Sequence, residues 1–350
     1  MDRRADTAPG GKDLVKKKAL SQQGRERLAV LSLSLLFFVT AAAAAAACAV
    51  RPPENTPDDA QTLLPAVVPD ENAAEPAEDG IPVIPGRQRR EFCYTILLSG
   101  LDDDNGGSDT NILMRFDAVN KTIDLVSLPR DTLLHHTWRS NKLNYAYAAG
   151  GTELLRTEIS NLLGVPVDRC VTVDLRGFIR LIDRIGGVDF DVPADMDYDD
   201  PAQDLHIHFA KGLRHLSGQE AMEVVRWRKN NDGSGYAAAD IGRIGTQQAF
   251  LKAAAGQLLR VKNVPALAEM VIACVRTDLT LGNLIWFGNE GINIGLEGLR
   301  FHTLPGDGAA RYRGESVYAL FPEETLALIN EALNPYDQPI TMEETDILVP

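Results

Sequence analysis

Leu125-Val-Ser-Leu-Pro-Arg-Asp-Thr132 is the stretch from which the rest of this chain can be interpreted. Residues 122–128 alternate between polar and apolar side chains like a half-buried β-strand, and the proline ends the pattern because it cannot donate to a sheet ladder. A second apolar run, 111–116, precedes this strand and opens with Ser108-Asp-Thr110. The two runs predict a β-hairpin that carries a charged Arg-Asp pair at one end.

Strand-like and helix-like segments alternate on both sides of this hairpin. Residues 93–99 form a short apolar run that predicts a buried strand, and residues 169–175 predict another. Helices are predicted over 153–163, where Thr152 is a suitable N-cap, and over 241–259, where apolar residues recur with helical spacing. Strands that alternate with helices are typical of an α/β domain with helices packed on a sheet.

Composition limits the classes of function. The chain has 350 residues, of which 45% are apolar, so it can bury a substantial core. Its formal net charge is −14. A nucleic acid is therefore excluded as the main partner, because neutralising phosphates requires an excess of lysine and arginine.

The N-terminal region predicts a membrane anchor. Residues 1–27 carry eight Lys/Arg against four Asp/Glu, and residues 28–50 contain no charge over 23 positions. A helix of that length spans a hydrocarbon core of about 30 Å. The basic flank predicts a cytoplasmic tail and one transmembrane helix, which places the rest of the chain outside the cell membrane. The small residues before Cys48 also allow cleavage or lipidation at this point.

The remaining chain divides by composition into three parts. Residues 51–90 contain eight prolines and eight acidic residues, which predicts an extended linker. Residues 91–333 contain the recurring apolar segments and are predicted to form the extracytoplasmic domain. Residues 334–350 are acidic and predict a loose tail.

Two arginines and a helix face form a second polar cluster. A capping box at Ser217–Glu220 predicts a helix that leads to Arg226-Trp-Arg228. Residues at i and i+2 lie on opposite sides of a helix, so a ligand shared by both arginines requires the helix to end near Arg226. Asp240, Arg243 and Gln247 follow at i, i+3 and i+7, on one face of the next helix.

These side chains suit a phosphorylated ligand. Arginine presents a planar fork of donors that matches phosphate oxygens, and Gln247 adds a neutral donor. Taken singly, each arginine is also consistent with a surface salt bridge. Asp102 and Asp109 flank a polar loop and could hold Mg²⁺ together with substrate phosphates, although such acidic runs are also common in solvated turns. The candidate cations are Arg130, Arg226, Arg228 and Arg243.

The order of the motifs resembles the LytR–CpsA–Psr family of membrane-anchored bacterial cell-wall proteins, over about residues 94–259. The motifs that carry the resemblance are Gly-x-Asp102, Ser108-Asp-Thr110, Ser127-Leu-Pro-Arg-Asp-Thr132, Lys142-x-Asn144, Gly150-Gly151, Val173-Asp-Leu-x-Gly-Phe178, Gly186-Gly-Val-Asp-x-Asp-Val-Pro193, Arg226-x-Arg228 and Asp240-Ile-Gly-Arg-Ile-x-x-Gln-Gln248.

The resemblance implies a three-layer α/β/α domain with a central mixed sheet. It implies a phosphotransferase that attaches a glycopolymer from a polyprenyl-pyrophosphate carrier to peptidoglycan, with a pyrophosphatase side activity. Asp102 and Asp109 match its Mg²⁺ ligands, Asp131 and Asp240 match residues that orient the arginines, and Lys142 matches a head-group contact. The residues that match its pyrophosphate contacts are Arg130, Arg226, Arg228, Arg243 and Gln247.

Two features leave alternatives open. The family often has an arginine immediately before Ser-Asp-Thr, and this chain has Gly107 there. A non-catalytic module that binds a polyprenyl lipid, or regulates as an attenuator, is therefore the second hypothesis for function. His206 and His208 share one face if their segment is a strand, but without a third ligand at suitable spacing we expect ordinary surface histidines.

Overall fold

The computed structural model describes residues 50–54, 87–101, 106–135, 140–202, 204–236, 239–260 and 263–350, with the side chains of 239 and 240 left out. The predicted cytoplasmic tail, the predicted anchor except Val50 and most of the predicted linker lie outside these ranges. Among the described residues, no helix has both the length and the apolar character needed to cross a membrane.

A mixed sheet of six strands forms the centre of the described domain, in the order β10-β3-β2-β1-β4-β9. β1 pairs parallel with β4 and β3 pairs parallel with β10, whereas the other neighbours are antiparallel. The mixed sheet predicted for the domain is thereby confirmed. The strands are β1 (Cys93–Leu101), β2 (Ser108–Asp117), β3 (Thr122–Leu128), β4 (Arg169–Val173), β9 (Arg276–Thr277) and β10 (Leu299–Thr303).

Smaller antiparallel ribbons lie outside this sheet. β5 (Val188–Val192) pairs with β8 (Gly212–Leu216), and β6 (Met196–Asp200) pairs with β7 (Leu205–Phe209). The two shortest pairs are β11 (Gly306–Asp307) with β14 (Ala319–Leu320), and β12 (Arg311–Tyr312) with β13 (Glu315–Ser316).

The helices begin and end close to their sequence signals. Asp174 caps its helix by accepting a hydrogen bond from the Gly177 backbone, and the capping box of Ser217 and Glu220 is present. Gly150 and Gly151 are non-helical and kink the first helix. The helices are α1 (Leu143–Leu163), α2 (Leu175–Arg184), α3 (Gly218–Arg226), α4 (Ala239–Leu258), α5 (Val264–Ile272), α6 (Leu281–Ile294) and α7 (Pro322–Leu328).

Helices cover both faces of the central sheet. Leu97 and Leu113 point to one face and pack in a core with apolar residues of α1, such as Leu155. On the opposite face, Phe116 packs edge-on against Phe287 of α6, with ring centroids 4.9 Å apart. Successive strand side chains alternate between faces, so each strand contributes to both cores.

The C-terminal residues pack against the domain, which differs from the predicted loose tail. Ile340 is buried in the core beneath α1, and the Asp346 backbone N–H donates to the Asn161 carbonyl at 3.0 Å. Arg87, from the end of the predicted linker, forms an ion pair with Glu344 at 2.7 Å. The tail is acidic, but its isoleucine and its pairing with that arginine hold it in place.

Candidate active site

A tight turn at the end of β3 presents the charged pair of the hairpin. The Thr132 backbone N–H donates to the Pro129 carbonyl at 3.0 Å, and its hydroxyl donates to the same carbonyl at 2.6 Å. The Arg130 carbonyl accepts a hydrogen bond from the Asn144 backbone N–H at 2.9 Å. The turn is therefore fixed both by its own hydrogen bonds and by the start of α1, which directs the side chains of residues 130 and 131 outward.

Arg130 and Asp109 form the ion pair at the centre of this site. Arg130 Nη1 lies 2.8 Å from Asp109 Oδ1, and the two side chains are 26% and 34% exposed. The pairing of Asn111 with Leu128 brings the beginning of β2 next to the end of β3. The hairpin register thus explains why two residues that are distant in sequence meet, and it leaves both open to a ligand.

Helix α4 completes a cleft over the end of the hairpin. It contributes Arg243, which is 7% exposed, together with Ile244 and Gln247. The predicted residues Asp109, Arg130, Arg243 and Gln247 are therefore brought together. The residues that line this cleft are Asp109, Thr110, Asn111, Ser127, Leu128, Pro129, Arg130, Arg243, Ile244 and Gln247.

Gln248 holds α4 over the ends of two parallel strands and was not among the predicted site residues. Its Nε2 lies 3.0 Å from Ser127 Oγ, 2.8 Å from the His302 carbonyl oxygen and 3.0 Å from Thr303 Oγ1. These contacts join α4 to β3 and β10, and they set the distance between Arg243 and the hairpin. Its place beside Gln247 in the Gln-Gln motif was the available signal.

The helix before Arg226-Trp-Arg228 ends at the position that a ligand shared by both arginines would require. α3 ends at Arg226, and Trp227 is extended with φ −62° and ψ 137°. Gln247 Nε2 donates to the Val225 carbonyl at 3.3 Å, which connects α4 to this helix end. Within the described part of the chain, Arg226 and Arg228 are not among the residues that line the cleft.

Asp131 contacts a lysine. Its Oδ1 lies 3.4 Å from Lys142 Nζ, and both side chains are partly exposed. The family resemblance implies that Asp131 orients the arginines, and the described ion pair of Arg130 is with Asp109. Asp131 therefore holds a further cation, that of Lys142, next to the hairpin turn.

The two other predicted carboxylates lie outside what the structure describes. Asp102 follows β1 directly and belongs to the undescribed residues 102–105, and the side chain of Asp240 is not described although its backbone lies in α4. Asp109 is thus the described candidate ligand for a cation. A partly exposed carboxylate beside a cleft lined by arginines suits Mg²⁺, which takes few protein ligands and completes its shell with phosphate oxygens and water.

Buried polar side chains at the strand ends were missed by the sequence reasoning. Ser99 Oγ, Ser108 Oγ and Asn111 Oδ1 are buried and have no hydrogen-bond partner among the described residues. An unsatisfied buried polar group costs about 1–3 kcal/mol, so such groups call for an explanation. Asn111 lines the cleft, where its Oδ1 could accept from a ligand hydroxyl. These buried polar side chains could have been predicted from the sequence, because they are polar residues that interrupt apolar strands.

The described cysteines do not provide nucleophiles for this site. Cys93, Cys170 and Cys274 are free and buried. Burial raises the pKa of the Cys93 thiol to about 11 and that of Cys170 to about 12. Thiols of this kind stay protonated near neutral pH and are inert. Among the described residues, the polar groups of the cleft are therefore its arginines, amides, hydroxyls and carboxylate.

Comparison with known proteins places this geometry in a family. The profile of the LytR_cpsA_psr family matches residues 72–334. The chain is 31% identical over 246 residues to the polyisoprenyl-teichoic acid–peptidoglycan teichoic acid transferase TagV of Bacillus subtilis, covering 66% of this chain and 61% of that protein. It is 32% identical over 222 residues to the transferase TagU of Bacillus cereus, covering 61% and 69% of the two chains.

The fold agrees with a solved structure as well. The crystal structure of B. subtilis TagV aligns with a TM-score of 0.58 and 26% identity, covering 67% of this chain and 94% of the crystallised one. The chain spans about three fifths of the length of the full TagV sequence. Because the family profile covers most of the chain, including the hairpin, α3 and α4, this protein belongs to the LytR–CpsA–Psr family.

Proposed function

We propose that this protein is a phosphotransferase that attaches a glycopolymer, carried on a polyprenyl pyrophosphate, to peptidoglycan. The observation that carries the proposal is the cleft in which Asp109, Arg130, Arg243 and Gln247 converge at the end of the hairpin. The names of the relatives TagV and TagU, which are teichoic acid transferases acting between a polyisoprenyl carrier and peptidoglycan, support the same reaction class.

The charges in the cleft fit a pyrophosphate. Arg130 and Arg243 contribute two permanent cations against the one carboxylate of Asp109, so the lining carries a net positive charge in a strongly acidic chain. Arginine forks bind phosphate oxygens in a bidentate manner. Because Arg243 is almost fully buried, its charge acts in a poorly screened environment and favours an anion there.

The proposed reaction moves the glycan phosphate to a new oxygen. A sugar hydroxyl of peptidoglycan attacks the phosphorus next to the glycan, and the bond to the bridging oxygen breaks. Polyprenyl phosphate leaves with that oxygen, and the proton of the hydroxyl passes to a base or to solvent. Arg130 and Arg243 stabilise the charge that develops on the leaving phosphate, which is the main contribution a protein makes to phosphoryl transfer. Attack by water instead gives the pyrophosphatase side activity.

A magnesium ion is part of the proposal. Asp109, together with the undescribed Asp102, would hold it beside the substrate phosphates. When bound, Mg²⁺ neutralises phosphate charge and supports the developing charge on the leaving group. In the described geometry, Asp109 Oδ1 already accepts a hydrogen bond from Arg130, so the carboxylate links the cation site to the arginine.

The proposed location is the outer face of the cell membrane. The charge pattern of residues 1–50 predicts a single-pass anchor with a cytoplasmic N-terminus, and the substrate is itself a membrane lipid. The domain described here would then work outside the cell, between the lipid carrier and peptidoglycan.

A reconstituted transfer assay tests the proposal. Full-length protein in detergent is incubated with a polyprenyl-pyrophosphate-linked teichoic acid chain, peptidoglycan fragments and Mg²⁺. We expect labelled polymer on the peptidoglycan and at least an equal amount of polyprenyl phosphate, the excess being the product of hydrolysis. Tight lipid binding without release or transfer would instead support the non-catalytic lipid-binding module. A parallel set of carriers with other glycans identifies the polymer class.

A further inference from the structure

The β6–β7 ribbon carries a polar face outside the cleft. Asp199 pairs with His206 and Asp197 pairs with His208 across the two strands, and all four side chains are exposed. The alternate residues, such as Ile207, turn inward and are buried. The strand period of two therefore places two imidazoles and two carboxylates side by side on one solvent-facing surface.

Three ligand atoms on this surface lie close together. His206 Nδ1 is 2.5 Å from Asp199 Oδ1, and His208 Nε2 is 3.3 Å from the same oxygen. One ligand atom from each of these three residues lies within 4.8 Å of the other two. In a tetrahedral zinc site with bonds of about 2.0–2.1 Å, the ligand atoms are about 3.3 Å apart, so small side-chain rotations suffice.

The outward nitrogens of both histidines face further carboxylates. His208 Nδ1 lies 2.8 Å from Asp197 Oδ1, and His206 Nε2 lies 3.7 Å from Asp204 Oδ1. Metal-bound histidines typically donate their other N–H to a carboxylate, which fixes the tautomer and strengthens the ligand nitrogen. His208 thus has the hydrogen-bonded carboxylate that is typical of a metal ligand, and His206 has a carboxylate nearby at a longer distance.

We propose that His206, His208 and Asp199 form a binding site for a divalent transition metal of the Zn²⁺ class. Two of the ligands are on β7, and the third comes from the paired strand β6. Imidazole nitrogens favour Zn²⁺ over Mg²⁺, whereas the described lining of the cleft offers oxygen ligands, so the two sites select different ions. Within the described ranges, no other three His, Cys, Asp or Glu residues meet in this way. The proposal does not depend on the proposed transfer reaction.

A bound ion would crosslink the ribbon next to the arginine segment. The Asp197 backbone N–H donates to Asn230 Oδ1 at 2.7 Å, and its carbonyl accepts from the Asn231 N–H at 3.1 Å. Asn230 Oδ1 also accepts from the indole N–H of Trp227, which lies between Arg226 and Arg228. The metal would therefore stiffen the support of the loop that carries these two arginines.

Equilibrium dialysis against ZnCl₂ tests the site. Full-length protein in detergent, produced without a polyhistidine tag, is dialysed in excess Mg²⁺, and bound zinc is measured by atomic emission. We expect one equivalent of zinc per chain. His206→Gln, His208→Gln and Asp199→Asn should each weaken binding at least tenfold, and X-ray absorption should show two imidazoles on the ion.

The matched control is His215→Gln. His215 Nδ1 lies 2.8 Å from Asp189 Oδ1 on the neighbouring ribbon, so it is an exposed His–Asp pair of the same kind that does not belong to the three-residue group. It should leave binding unchanged. The proposal is overturned if wild type binds no zinc, if His215→Gln weakens binding as much as His206→Gln, or if circular dichroism shows that the loss follows unfolding.

Discussion

Replacing Arg130 with alanine should separate reactivity from folding, because the side chain lies in the cleft but contributes little to the core. Its ion pair with Asp109 is 2.8 Å long, and the two partners are 26% and 34% exposed. Ion pairs with this degree of exposure contribute about 0.2–1 kcal/mol. The free energy of unfolding should therefore fall by less than about 1 kcal/mol, which corresponds to a decrease of roughly 2–4 °C in Tm for a domain of this size.

The effect on transfer should be much larger. Removing one preorganised donor from a developing negative charge lowers the rate by about 10²–10³, or about 2.7–4 kcal/mol. Arg130→Lys keeps the charge but loses the planar fork, so we expect an intermediate loss. The loss should appear in kcat more than in KM if the contact strengthens in the transition state.

A double-mutant cycle with Asp109→Asn defines the role of the carboxylate. If Asp109 acts only by orienting Arg130, the aspartate substitution should have little further effect in the Arg130→Ala background. If Asp109 also holds Mg²⁺, as we propose, the double variant should be less active than Arg130→Ala alone. The Mg²⁺ concentration that gives half the maximal rate should also rise. Additive free energies would show that the two groups act separately.

The assay is release of polyprenyl phosphate together with transfer of labelled glycan, measured on full-length protein. Arg260→Ala is the matched control, because Arg260 follows the end of α4, is exposed and, among the described residues, bonds through its side chain to the neighbouring Gln257 at 3.2 Å. It should retain full activity. Full activity of Arg130→Ala, or a loss matched by a large decrease in Tm, would refute the assignment of Arg130 to the substrate.

Three further changes test other parts of the structure. Gly107→Arg should raise kcat/KM about three- to tenfold in the same assay, since a Cβ there lies 3.4 Å from the Asn144 carbonyl and the new cation would border the cleft; lower activity in a folded variant would contradict this. Gln248→Leu should cost about 1–3 kcal/mol in urea unfolding, because it leaves Ser127 and Thr303 without that donor; unchanged stability would show that α4 is held by other contacts. The pKa of Glu158 is raised from 4.5 to about 7, mainly by burial and to a smaller extent by the charge of Asp346. The folded state then binds more protons between these values, so stability falls as pH rises through this window. Glu158→Gln should reduce that fall by about 1 kcal/mol after solvent screening, and equal pH profiles in urea melts would argue against it.

Much of the local structure was predictable because it depends on neighbours in the chain. The alternation over residues 122–128 and the turn residues after 116 determine the β2–β3 hairpin. The Ser217 capping box starts α3, and Gly150-Gly151 interrupts α1. In each case the conformational preferences of a few adjacent residues determine the backbone conformation, so the element can be predicted from the sequence alone.

The tail and the ribbon show where such reasoning ends. Residues 334–350 have a composition typical of loose segments, yet Ile340 finds an apolar site beneath α1 and Glu344 finds Arg87. His206 and His208 were recognised as one face of a strand, but Asp199 could be matched to them only through the β6–β7 register. Both outcomes depend on contacts between residues whose spacing in the sequence does not indicate that they meet.

By itself, the sequence determined the elements, the acidic character of the chain, the family resemblance and the residue types that suit a pyrophosphate. Only the tertiary structure decided which of those residues meet. It joined Arg130 to Asp109, placed Arg243 and Gln247 over them, and revealed Gln248 as the residue that holds α4 in position. The physical reason is that helices and strands follow local preferences, whereas a site depends on long-range register and packing, which every part of the domain sets together.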